Sequence, residues 1–508
     1  MDFDDLVIGA GMAGLAVASL LAGSGRRVLV LEAHDVAGGY AHTFAVKDHR
    51  FCAQVHYVFG CGEGETVDRL LGRLGLREAV PFVRLDPEGF DHVVVAGDRV
   101  RIPNGLSKYR DRLLRRYPQW REPILGYFAA VVAVGEALDR ADALPSRPTP
   151  LSVARSVYGL RHLLRHRRST LQDVYDALRM PQHLGAILAG QSGDYLLPPR
   201  EVSFVLHVAL VRGYDRGAYY PVNHYASLVD ALAGSIRGRP GCAVLLEHEV
   251  SRIHAEGGRV VGVTTRSGQH FTARRYVSNV DPRRTAELVV PAQAGHDGRG
   301  ERRLGYAYSC GTLTLYLSVR GLDLRDHGFG SYNVWHYPHA DINRMYDDQL
   351  VRRDLDDPWL FLSTPTLHSS SPGLCPPGHQ ILEVATCADH AYFAELRSRD
   401  RRAYNAEKKR IRELILDVIE ARYVPRLRDH LALRLVGTPV TNERFCRAPA
   451  GNAYGAALVP RNVTLGRRPY RSRLDNLWLA NATAGLPSVA GALGAGMKLY
   501  AELTGDVV

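Results

Sequence analysis

The residue types and spacings best suited to chemistry sit within the first forty positions. Gly9, Gly11 and Gly14 stand in the spacing G-x-G-x-x-G, between the apolar run Leu6-Val7-Ile8 and a small-residue stretch. That stretch predicts a helix from about Leu15 to Leu21. A turn at Gly23-Ser24-Gly25 then leads to a second apolar run, Val28 to Leu31, which ends at the acid Glu32. Strand, glycine turn, helix, strand and acid follow in the order that dinucleotide binding requires. Gly9 permits a tight turn, Gly11 lets the backbone approach a pyrophosphate, and Gly14 lets the helix pack closely on the strand. The helix N-terminus, at Met12 and Ala13, offers unpaired N–H groups and the positive end of its dipole to phosphates. Glu32, followed by Ala33, is placed to accept hydrogen bonds from an adenosine ribose, and its charge would repel a 2′-phosphate. A glycine turn with no ligand is the bland alternative, and the agreement of all five features argues against it.

A second anion-seeking element is written near the C-terminus. Leu477 to Ala480 predicts a buried strand, and Asn481 to Gly491 a loop rich in Gly, Pro and Ser. A helix follows to about Leu503, carrying Gly491, Gly494 and Gly496, so Pro487, Ser488 and Val489 lie at another helix N-terminus. Between these ends, residues 66–80 predict a helix with Val67, Leu70, Leu71 and Leu74 on one face. Runs near 82–85 and 91–102 predict strands, and 106–175 is helical in character. The apolar stretch Ile124 to Leu138 is expected in a core or as the wall of a lipid-sized cavity. Pro145 to Pro150 reads as a stiff linker. The basic stretch 151–168 has Val153, Val157, Leu160 and Leu164 on one helical face, with Arg155, Arg161, His162, Arg165 and His166 mostly around the other. A solvated helix explains it, and so does docking on an anionic membrane surface. Residues 243–281 are strand-rich, 300–440 alternates strands with charged helices, and Trp335, His336 and Tyr337 are candidates to line a cavity.

Composition narrows the class further. A chain of 508 residues, 46% hydrophobic and 23% charged, is long enough for two or more domains. The net charge of +11 is mostly arginine and dispersed, and no aromatic–basic module appears, so nucleic acid is not expected as a partner. Seven cysteines with no C-x-x-C spacing argue against a disulfide framework or a metal site. No basic leader and no apolar run of about 18 residues is seen, so a cytoplasmic address is expected, with peripheral membrane contact through 151–168.

The glycine pair Gly38-Gly39, which follows Glu32 after five intervening residues and precedes Tyr40, resembles the flavoprotein motif of the amine oxidase and phytoene desaturase superfamily. That likeness implies FAD, with the pair beside its pyrophosphate. His42-Thr43-Phe44, His56-Tyr57, Leu188 to Tyr195 and Gly217 to Pro221 resemble a narrower group: retinol saturases, carotenoid isomerases and bacterial phytoene desaturase-like oxidoreductases. In that group the segment holding His56 and Tyr57 returns towards the flavin ring. The resemblance also places Val250 at the adenine edge and Asn279 in a second cofactor segment. Asn481 and the Pro487–Gly491 helix start fall at the ribityl chain and the N1/O2 side of the flavin.

The implied fold is α/β, a Rossmann-like FAD-binding domain with an interleaved α+β substrate domain. Residues 1–100, 215–290 and 435–508 are expected in the first part, and 101–214 and 291–434 in the second. The implied function is FAD-dependent desaturation or saturation of a lipophilic polyene, isoprenoid-like or polyketide-like substrate. His56 or Tyr57 would transfer a proton, with His42 and Cys52 as lesser candidates. A redox-neutral double-bond isomerase, an amine oxidase-like enzyme and a non-catalytic lipid escort are the alternatives.

Overall fold

The computed structural model describes residues 2–142, 150–291, 305–369, 371–463 and 470–508. Its five-stranded parallel sheet runs in the order Leu477–Leu479, Ala273–Ser278, Phe3–Ile8, Val28–Leu31, Ala243–Leu245. Both ends and the middle of the chain therefore meet in one sheet. Its strands are short and apolar because both faces are covered. Strand alternation sends Leu6 and Ile8 to one side, where they meet Val250, Ile253 and Val263 of a four-stranded mixed layer, and Val7 to the other. That layer runs His270–Phe271, Arg259–Thr265, Val250–Glu256, Val289–Pro291.

On the opposite side, helix Met12–Gly23 lies against helices Val489–Thr504 and His224–Arg237. Its run of Ala and Gly permits contact at backbone distance. A Cβ on Gly14 would fall 2.4 Å from the Gly9 carbonyl oxygen, and one on Gly496 would fall 2.7 Å from that of Ala13. The predicted helix at 66–80 is Thr66–Leu74, with Val67, Leu70 and Leu71 buried.

A seven-stranded sheet forms the second part: Leu431–Gly437, Gly311–Arg320, His379–Ala388, Leu360–Ser363, Asn333–Tyr337, Asp91–Val95, Asp98–Ile102. All neighbours are antiparallel except Asn333–Tyr337 with Asp91–Val95. Period two divides its residues. Leu313, Leu315, Val334, Leu362 and Val384 pack on helix Arg401–Arg422, while Thr312, Trp335, Phe361, Glu383 and Ala385 take the other face. The 91–102 hairpin is part of this sheet, although the sequence boundary at about 100 grouped it with the cofactor part. Its long-range pairing to 333–337 leaves no local trace. The linker residues 145–149 lie outside the described residues.

Gly496→Val should force the two glycine-packed helices apart. We expect a loss of about 1–3 kcal/mol or more, read as a lower thermal midpoint, and a substitution without effect on that midpoint would contradict the close packing.

Candidate functional site

The glycine turn is fixed by partners far away in sequence. The Gly9 N–H donates to the Leu31 carbonyl at 2.8 Å, the Ala10 N–H to Glu32 Oε2 at 2.6 Å, and the Gly11 N–H to Asn279 Oδ1 at 2.9 Å. Gly38 donates to the Ala10 carbonyl at 2.8 Å, which seats the glycine pair on the turn. Glu32 also accepts from the His34 N–H at 2.9 Å, and burial pushes its pKa up. Asn279 in turn donates to the Ala480 carbonyl, tying the first motif to the last. A Cβ on Gly11 would meet Asn279 Oδ1 at 2.3 Å. The need for glycine there is therefore set by the carboxamide, a contact that the sequence did not show.

One cavity runs from this turn to the seven-stranded sheet. Gly9, Gly11, Met12, Ala13, Glu32, Ala33, Gly38, Gly39, Tyr40, His56, Tyr57, Val250, Asn279, Asn481, Pro487, Ser488 and Val489 all border it. Gly14 and Gly491 do not. Gly14 serves helix–strand packing, and Gly491 sits behind the loop, where a Cβ would lie 2.6 Å from the Leu486 carbonyl oxygen. The Gly491 N–H is taken by the Ser488 side chain at 3.0 Å, so it is not free for a ligand. Ser488 itself has φ +90° and ψ 162°, a conformation almost reserved for glycine. Strain of this kind at a cavity wall is a mark of a functional loop. Asn481 holds the loop, accepting from Thr483 and Ala484 N–H groups and donating to the Val280 carbonyl. The Tyr40 hydroxyl donates to the Asn452 carbonyl.

The far wall is aromatic and apolar. Trp335, Trp359, Phe361, Ala385, Leu196, Leu210 and Val55 contribute to it. Trp335 lines the cavity as expected, but His336 is turned to the opposite face, bonding Tyr423 at 2.9 Å, and Tyr337 donates to the Gly190 carbonyl. The Ile124–Leu138 stretch forms part of helix Arg121–Asp142 and does not reach this cavity. Its apolar residues pack on helices Phe204–Asp215 and Leu106–Arg116 and line a separate groove. Apolarity alone cannot distinguish a cavity wall from a core.

Two polar groups break the apolar wall. His56 Nδ1 is 2.7 Å from Glu383 Oε2, with the glutamate side chain buried and its Oε1 without a hydrogen-bond partner among the described residues. The pairing fixes the imidazole plane and leaves Nε2 for the cavity. The Tyr57 hydroxyl reaches both Asp91 Oδ2, at 2.9 Å, and Asp194 Oδ2, at 2.8 Å. Burial raises Asp91 to about 7 and pushes Asp194 up as well, with the charge of Asp91 adding to the second shift. Of the lesser candidates, His42 bonds the Gly39 carbonyl through Nδ1 at 2.6 Å, and burial lowers its pKa. Cys52 is wholly buried, which raises its thiol pKa and removes it as a nucleophile. Sequence reasoning missed Glu383, Asp91 and Asp194. Each left one signal: a lone acid inside the apolar run Ile381–Ala388, another heading the run Asp91–Val95, and the third within the Leu188–Tyr195 motif.

Fold and site together define a dinucleotide-binding enzyme whose second sheet closes a lipophilic chamber. Comparison with known proteins makes the class specific. The model of the flavin containing amine oxidoreductase family matches residues 12–408, and the chain belongs to that family. An all-trans-retinol 13,14-reductase of Danio rerio is 27% identical over 520 residues, covering 97% of this chain and 84% of the relative. A chloroplastic prolycopene isomerase 2 of an Oncidium hybrid cultivar is 24% identical, covering 92% and 77%. An oxidoreductase from Methanosarcina mazei shares the fold at a TM-score of 0.65 and 16% identity, covering 98% of this chain and 99% of that one. The protein is an FAD-dependent oxidoreductase.

The residues present fit the cofactor. Glu32 lies at the cavity wall to meet the ribose, the paired turns at 9–14 and 38–39 pass at backbone distance, and Ser488 and Val489 begin a helix pointing its positive end inward. When bound, FAD supplies the hydride-accepting and hydride-donating chemistry. Glu32→Arg should sharply lower the FAD released on denaturation, and unchanged flavin content would remove Glu32 from the site. The buried carboxyl pair Asp91 and Asp194 gives a pH signature. Burial raises both, so between about pH 4 and pH 7 the folded pair keeps a proton that the unfolded chain has lost, and the pair's stabilisation falls as pH rises through that window. The double variant Asp91→Asn with Asp194→Asn cannot ionise there. The stability difference between wild type and variant should therefore change across the window, and a constant difference would contradict the raised pKa.

Proposed function

We propose that the protein moves two hydrogens onto or off a carbon–carbon double bond of a lipophilic, polyene- or isoprenoid-like substrate. The observation that carries this is the far wall of the cavity. Trp335, Trp359, Phe361, Leu196 and Leu210 face the cofactor turn, with no lysine or arginine among the described residues of that wall. Such a surface desolvates an extended apolar chain and offers no cation to a charged acid. The similarity to a retinol reductase supports the same substrate class. Likeness to a prolycopene isomerase favours a second outcome, redox-neutral double-bond isomerisation in the same chamber. The cofactor-binding part is proposed to comprise residues 1 to about 90, 215–290 and 438–508.

His56 is proposed to hold the substrate's reacting bond in place at the wall, with Glu383 as its positioning residue. Anaerobic mixing with lipophilic alkenes, following flavin absorbance and product mass, tests the whole reading. A change of two hydrogens supports desaturation or saturation, and unchanged mass with altered retention supports isomerisation. Flavin reduction by primary amines alone would overturn it in favour of an amine oxidase. In the same assay His56→Gln should slow turnover by about 10²-fold with FAD still bound, and an unaltered rate would remove it.

Contact with an anionic membrane surface is proposed through helix Pro150–His166. Arg110, Arg140, Arg161 and His162 line the groove beside it, and Tyr158 is 75% exposed. No described helix is long and apolar enough to cross a membrane. The protein should float with anionic liposomes at low salt and be released at high salt, and recovery in the soluble fraction at every salt concentration would end the idea.

A further inference from the structure

Tyr57 stands between two buried carboxyls but has a single proton to donate. Both of its contacts, 2.9 Å to Asp91 and 2.8 Å to Asp194, are hydrogen bonds only if one carboxyl is neutral and donates back to the phenol oxygen. The surroundings decide which. Asp91 is fully buried and also accepts from Gln191 Nε2 at 2.7 Å and Asn333 Nδ2 at 3.2 Å, so three donors hold it as an anion. Among the described residues the side chains that donate to Asp194 are two phenols, Tyr57 and Tyr214, and Asp194 is the member of the pair that borders the cavity. Two carboxylates across one phenol resist double ionisation. The proton therefore rests on Asp194.

The turn carrying Asp194 is held rigidly. A Cβ on Gly193 would meet the Trp335 ring at 2.4 Å, the Tyr337 hydroxyl lies 3.1 Å from Ser192 Oγ, and Tyr346 donates to the Ser192 carbonyl. The carboxyl thus has a fixed place on the wall that also bears Trp335 and Phe361. A neutral acid at such a point has one evident use.

We propose that Asp194 is the proton donor of the reaction, kept loaded by Tyr57 and Asp91 as positioning residues. The assignment rests on the alkene reading of the cavity. Adding two hydrogens across a double bond needs a hydride at one carbon, from the reduced cofactor, and a proton at the other. The Asp194 O–H bond breaks as the C–H bond forms, and Asp194 is left as carboxylate. Tyr57 then turns its O–H from Asp91 to Asp194 until a proton returns from water.

Two measurements test this on the FAD-loaded protein. Infrared spectroscopy at neutral pH should show the carbonyl stretch of a neutral carboxylic acid that Asp194→Asn removes and Tyr57→Phe shifts in frequency. No such band in the wild type, or a band kept by Asp194→Asn and lost in Asp91→Asn, overturns the proposal. In single turnovers of the dithionite-reduced protein in heavy water, the wild-type product should gain two deuterons, one through the exchangeable reduced flavin and one through Asp194, and a product with no deuterium at the protonated carbon overturns the proton step. Asp194→Asn should be slower by about 10²–10⁴-fold with flavin content unchanged, and a wild-type rate in that variant overturns the donor role. A wild-type protein that carries the Asp194 band yet reduces no alkene overturns the substrate reading and with it the donor role, leaving the shared proton in place.

Discussion

The structure depends on satisfying one short turn. Residues 9–11 leave a strand and enter a helix, so their N–H groups have no partners in either element. Leu31, Glu32 and Asn279 supply those partners, and Asn279 passes the connection on to Ala480. Four stretches separated by up to several hundred residues are thereby pinned around a few ångströms of backbone. The five-stranded sheet, the glycine pair and the C-terminal loop all take their positions from that knot. Once it is tied, the chamber on the other side needs only a sheet with one apolar and one mixed face.

That second sheet shows how period two makes a reaction wall. Along His379–Ala388, Leu382 and Val384 go to the helix side, while Glu383 and Ala385 go to the chamber. A polar residue in such a strand is surrounded by hydrocarbon, which strengthens each hydrogen bond it makes and penalises each one it lacks. Glu383 is therefore committed to His56, and Asp91 to Tyr57, Gln191 and Asn333. The same alternation explains why Trp335 borders the chamber and His336 does not.

Much of the cradle was legible in sequence because its signals are local. The glycine spacing, the acid at 32, the pair at 38–39 and the loop before the last helix each announce themselves within a dozen residues. What was not legible depends on pairing between distant strands. Nothing near Asp91 tells that it will lie beside Asn333, and nothing near His56 points to a glutamate 327 positions later. Gly11 was expected to let the backbone approach a pyrophosphate, and the structure adds a crowding group that no local signal announced, the Asn279 carboxamide. The Ile124–Leu138 stretch was ambiguous for a plainer reason: an apolar helix face looks the same whether it meets protein or ligand.

The strand order has a consequence for synthesis. Phe3–Ile8 is made before the other strands of its sheet and lies at its centre, yet one flank is completed only by Ala273–Ser278 and Leu477–Leu479. At about 5–20 residues per second, roughly 20–90 s separate the second strand from the last. Through that interval the nascent chain displays an open, apolar parallel edge, the kind of surface that invites aggregation. The loop at 481–489 is made after every other part of the cradle. Cofactor capture therefore waits for that loop, and free FAD can stabilise only chains whose synthesis has passed it.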